Sequence, residues 1–364
     1  MLASCVLGLV APGGAMGQGT LPEGLSTTIE LNADQTSQIQ SFVNSNLEAL
    51  KGTEAAQVSQ AMSRLRAPFG GPSLRDISVS FRRRYAEALK PAFEEMLSAA
   101  NLASPTSDLP IRALSIAGEL ATDDPAGLLA RSLGAARADV RYQAAYGLRR
   151  TFFMLAQSRS PLMRPEQVQG LITNLGDQLS KERDPLVIDA LIRALQVAGE
   201  PDAQHTLVIK TLGDAMSANA KAATKPSDDP AEALAMLRAA SAMRELLSAP
   251  GTVTAPAAKS SAEMTGQLAA YASRAVKLKT FESGNAADVR SALADLASAS
   301  QTTALLAYSK LQLGGSAPTL PALGDPLRKG TTADDAKFLL DVGGFINNLL
   351  AKPPFGLAAG SFAL

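Results

Sequence analysis

The stretch Leu128–Leu148, LLARSLGAARADVRYQAAYGL, decides the fold. It reads as a helix, a short turn containing Asp139, and then a second helix. In that second helix Val140, Ala144 and Leu148 recur four residues apart, so they share one face over about two turns, with Ala145 beside them. Valine and leucine fill a core between helices. The two alanines between them carry almost no side chain and let a neighbouring helix come close.

The same pattern recurs in both directions. Asp108-Leu109-Pro110-Ile111-Arg112, followed by Ile116 and Leu120, is a looser copy. Asp184–Leu195, DPLVIDALIRAL, is another, preceded by a helix over 166–179. Ala287-Asp288-Val289-Arg290 begins a further one, with Leu293 and Leu296 after it. Three Asp-Pro pairs, at Asp124, Asp184 and Asp229, look like helix starts. An aspartate can accept from the first free amides, and proline suits the first helical position because no intrahelical partner is needed there.

Taken together, Val140-Arg141, Ala144-Ala145 and Leu148 resemble the short form of the HEAT-repeat family, over about residues 107–250 and in looser form to 312. The spacing is uneven. Ile111 to Val140 is 29 residues and Val140 to Val187 is 47, where such repeats run to roughly 40–47. The resemblance implies helix pairs stacked as a short irregular α-solenoid. It also implies that Arg141 and Arg112 brace the turns before their own helices, and that a partner binds the inner surface formed by the second helices. A generic helical bundle is the structural alternative.

Composition supports an all-α chain. Alanine makes up about 18% of it and aromatics only 4%, without Trp. Asn32 with Gln35 is a capping-box pair, and Ile39, Phe42, Val43, Leu47 and Leu50 follow at helical spacing. A second helix is expected over 53–66, and a third over 74–100 with a kink at Pro91. The expected organisation is a signal peptide at 1–17, a linker at 18–30 and an N-terminal helical cap at 31–104. Repeats at 105–312 follow, interrupted by a linker at 249–261, then a loop at 313–332, a helix at 333–351 and a tail at 352–364. The signal peptide rests on the apolar run Leu2–Val10, broken by Pro12 and followed by small residues, with Ala15 and Gly17 placed for cleavage before Gln18. Export to the periplasm or the extracellular space is the expectation. A lipid anchor at Cys5 is not expected, because most of the apolar run follows the cysteine instead of preceding it. No later segment has membrane-spanning length.

Chemistry is sparse. Lys+Arg and Asp+Glu are both 34, so the net charge of zero does not suggest a nucleic-acid binder. One cysteine and one histidine, His205, exclude an internal disulfide and a Cys/His zinc site. His205 is expected near the surface at a helix start, and catalysis there would need a serine or an acid brought in by the fold. Arg82-Arg83-Arg84 is the one notable charge run and the weak candidate for an anion or partner contact. A solvated helix face, with Arg83 paired to Glu87, is the expectation. The pairs Asp123-Asp124, Asp228-Asp229 and Asp334-Asp335 fall at helix starts, where the dipole favours negative charge. No phosphate-binding loop or nucleophile elbow is present. No catalytic residue, metal site or cofactor is assigned. The expected function is a non-catalytic scaffold or protein-interaction module. The alternatives are an accessory subunit of an envelope enzyme and a structural envelope component.

Overall fold

Asn32 opens the first helix as its neighbours require. Its side chain accepts from the Gln35 amide at 2.9 Å, and the Gln35 side chain accepts from the Asn32 amide at 3.0 Å. The structure is a computed structural model that describes residues 20–70, 75–281, 286–311, 318–362 and 364. The proposed signal peptide and Cys5 lie outside the described residues. Among those residues the chain is helical throughout, with fifteen α-helices and no strand. Among the described residues no helix is long and apolar enough to cross a membrane.

The chain divides into two units, residues 1–96 and 97–364. The first holds α1 (Ala33–Lys51), α2 (Ala55–Arg66) and α3 (Val79–Met96). α3 starts later than expected and runs on through Pro91. The core of this unit is aromatic. Phe69 meets Tyr85 edge-on at 5.0 Å, Phe81 lies 5.5 Å from the same ring, and the Tyr85 hydroxyl donates to the Leu65 carbonyl at 2.9 Å.

The second unit begins with the short α4 (Ala99–Ala103) and continues as two layers. One layer is α5 (Leu109–Leu120), α7 (Ala138–Gln157), α9 (Pro185–Ala198), α11 (Pro230–Ser248) and α13 (Ala286–Leu311). The other is α6 (Asp123–Ser132), α8 (Pro165–Lys181), α10 (Asp202–Ala222) and α12 (Ala255–Lys277). Each helix packs on the next member of its own layer, and all but α7 also pack on their successor in the chain, which gives a solenoid-like stack. Val140, Ala144, Ala145 and Leu148 are all fully buried. The close approach expected at the alanines is closer still at a glycine. A Cβ on Gly118 of α5 would stand 2.8 Å from the Gly147 backbone of α7, so those two helices touch main chain to main chain.

The stack is closed by α14 (Gly324–Lys329), which packs on α13, and by α15 (Thr332–Phe345), which packs on α14 and α12. A π-type turn, Ile346–Leu350, extends α15. Two expected boundaries are corrected. The linker placed at 249–261 is mostly helix, because α12 starts at Ala255 after a Thr254 N-cap and with Pro256 in its first turn. The loop placed at 313–332 contains α14. The tail is folded against the stack, with Phe355 and Phe362 buried.

Candidate functional site

The residues singled out in the sequence turn out to be mostly structural. Asp184 and Asp229 are N-caps that accept from the amides of Leu186 and Ala231 at 2.9 Å. Asp228 directly precedes its cap. Asp123 and Asp124 lie in the first turn of α6, which begins two residues earlier than its Asp-Pro pair suggests, with Thr122 as N-cap. Asp334 completes a capping box with Thr331. Asp335 holds Arg290 of α13 through two bonds, of 2.7 and 3.1 Å.

The arginine run splits. Arg82 is 1% exposed, with its guanidinium 5.4 Å from the Phe69 ring centroid, so the solvated-face expectation fails there. The stripe Phe81, Tyr85 and Leu89 rotates Arg82 partly inward, where its planar cation lies on an aromatic face. Arg83 and Arg84 are exposed, and Glu87 pairs with Arg84 at 2.7 Å instead of Arg83. The three arginines do not converge on one site.

His205 also departs from expectation, being only 2% exposed. Its Nδ1 lies 2.9 Å from the Gly199 carbonyl. A carbonyl only accepts, so Nδ1 is the donor in this bond. The ring packs against Gly251, where a Cβ would come within 3.2 Å of it. No serine hydroxyl or carboxylate is bonded to this histidine in the described structure. Among the described residues no group of three or more His, Cys, Asp or Glu is placed to hold a metal.

Arg141 is a half-buried brace. Its guanidinium donates to the Ala135 and Ala136 carbonyls in the turn before its own helix, at 3.0 and 2.8 Å. It also grips the Glu182 carboxylate at 2.7 and 2.8 Å. Burial pushes that carboxyl up. The bonds from Arg141, the amides of Asp184 and Arg183, and the Gln178 side chain outweigh this and hold its pKa at about 2. Arg112 lies 3.8 Å from Asp108 at the start of its own helix.

The surface that does stand out was not chosen from the sequence. Tyr142, Tyr146 and Phe153 are 41%, 44% and 38% exposed, and they are the only large aromatics exposed among the described residues. All three lie on one face of α7, at i, i+4 and i+11, with Arg149 and Arg150 between them. In a chain with so few aromatics, the exposed ones are concentrated here. The signal was available: a core stripe at Val140, Ala144 and Leu148 leaves residues 142, 146, 149 and 153 facing outward. The consecutive Phe152 and Phe153 obscured it, since only Phe152 is buried.

Arg150 donates to the buried Glu119 of α5 at 2.7 Å and lies 5.1 Å over the Phe153 ring. Tyr146, Arg149, Arg150, Phe153 and Val197 of α9 line a pocket of about 240 Å³. A larger groove of about 560 Å³ runs between α6 and α8, but its floor includes Gly127 and Gly170, and its rim carries both signs of charge, at Asp123, Arg131, Asp177 and Lys181. It offers no exposed aromatic. No protein-family model, no curated protein and no solved structure matches the chain.

Proposed function

We propose that this chain is a non-catalytic helical-repeat scaffold of the HEAT type, which binds a protein partner on the exposed surface formed by its second helices. The observation that carries this reading is the Tyr142, Tyr146 and Phe153 stripe with its interleaved arginines. Tyrosine and arginine are the residues enriched at the energetic centres of protein interfaces. The HEAT assignment draws support from the paired, layered stacking and from the Arg141 brace on the turn before its helix. We infer further that the protein acts outside the cytoplasm, from the Leu2–Val10 run and the small residues that follow. N-terminal sequencing of the natively produced protein is expected to begin near Gln18, and a cytoplasmic protein retaining Met1 would sink that inference.

Site-specific photo-cross-linking in the source cell tests the partner. A benzophenone side chain in place of Tyr146 is expected to give a discrete adduct. The same group in place of Thr173, exposed on α8, is expected to give none. Phe153→Ala in the first variant is expected to remove the adduct. Equal adducts from both positions, or none from Tyr146, would refute the reading.

A further inference from the structure

The pocket between α7 and α9 is small. Sites that enclose a whole drug-sized ligand run to roughly 300–1,000 Å³, and about 240 Å³ is room for one side chain. Its walls are the rings of Tyr146 and Phe153, and Val197 contributes from α9.

The side chains that line it include two arginines and no carboxylate. Arg150 is already met by Glu119 at 2.7 Å. Arg149 has no ion-pair partner among the described residues. One and two turns before Val197 on α9, the pattern repeats. Asp189 lies between two guanidiniums, 2.6 Å from Arg193 and 3.1 Å from Arg238 of α11. A segment crossing from α7 towards α11 therefore meets aromatic walls and an excess of positive charge, on a chain whose formal net charge is zero.

We propose that the occupant of this face is an acidic segment of the partner protein. It seats one apolar side chain between Tyr146 and Phe153, and its carboxylates face Arg149 and the Arg193–Arg238 pair. The proposal rests on the scaffold reading given above. Complementary charge of this kind steers encounter and sets orientation, while the buried side chain supplies most of the affinity. Single-stranded nucleic acid can also stack on aromatics beside arginines, but it follows a continuous basic track. Here Glu119, Asp189 and Glu245 interrupt any such track, and Glu245 is bonded to Gln196 across α9 and α11.

The test is selection of a random-peptide display library on the full-length chain, followed by titration of the selected peptides. Peptides rich in Asp and Glu around one apolar residue are expected. Their affinity is expected to fall about tenfold or more in Arg149→Glu and in Phe153→Ala, with circular dichroism and unfolding midpoints unchanged. It is also expected to fall as salt is raised. Selected peptides that are neutral or basic, or acidic ones indifferent to both substitutions, would overturn the proposal. So would an oligonucleotide that binds this face more tightly than the peptides do. Mapping the partner's cross-linked segment separates the two claims. A non-acidic segment joined at Tyr146 defeats this inference and leaves the scaffold reading intact, whereas no adduct defeats both.

Discussion

Helices α7 and α12 belong to the same stack and treat their side chains in opposite ways. From Ala257 to Val276 every residue of α12 except Lys259 and Glu263 is buried. That helix is enclosed by α10, α13, α15 and the tail, and it can be enclosed because it is built of Ala, Ser and Gly. Where Gly266 lies, a Cβ would run into the Phe362 ring and Leu350. α7 buries an equally small stripe, Ala144, Ala145 and Gly147, but carries large aromatics on its open side. Small residues turned inward report packing. Large ones left outward, at a cost in solubility, are the basis of the proposed binding surface.

The comparison breaks first on the inward side of α7. Leu148→Ala removes a fully buried side chain and is expected to cost roughly 2–5 kcal/mol through lost burial and a cavity. Ala144→Leu overpacks the same contact, at roughly 1–3 kcal/mol. Urea unfolding measures both. A midpoint unchanged by Leu148→Ala would mean that the inward register of α7 is wrong.

The second effect lies where α7 is braced to the next pair. Glu182 is held at about 2, below its ordinary 4.5, so the folded state gives up this proton more readily than the unfolded one. Its contribution is therefore complete above the ordinary value and is lost as pH falls towards 2. A shift of this size corresponds to about 3 kcal/mol at most. The stability of the native protein is expected to decline between pH 4.5 and 2 more steeply than that of Glu182→Gln. Parallel declines would remove the brace from the account.

On α12 the sharpest probe is Gly266→Leu. Phe362 and Leu350 must move or undock, and the expected cost is roughly 1–3 kcal/mol, with faster proteolysis of the tail. Wild-type stability and protection would show that the tail is not packed on α12.

The helical fold was largely readable in the sequence because periodicity, caps and small-residue faces are local signals. Asn32, Asp184 and Asp229 cap where they were expected to. The errors come from tertiary contacts. The segment after residue 249 looked like a linker because Pro, Ala, Thr and Ser dominate it, yet proline is accepted in a first helical turn and alanine is needed for an enclosed helix. His205 reads as a polar residue at a helix start. Its burial depends on the Gly199 carbonyl and on Gly251, 46 positions further along. The candidate site lies in the complement of the α7 pattern, opposite the buried Val140, Ala144 and Leu148.

The smallest expected effect on stability is the one that bears on function. Tyr146→Ala removes a side chain that is nearly half exposed and whose hydroxyl makes no bond in the described structure. Substitutions at such surface positions change stability by about 0.5 kcal/mol or less. If α7 faced only solvent, the variant would be silent in every assay. If the stripe is a binding surface, truncating a central tyrosine is expected to cost binding at least about 2 kcal/mol, a loss of roughly thirtyfold in affinity, with the unfolding midpoint unchanged. The pair of measurements separates the two cases. Loss of binding together with loss of stability would instead assign Tyr146 to the α7–α9 packing, and the contrast between α7 and α12 would then describe two ways of burying a helix.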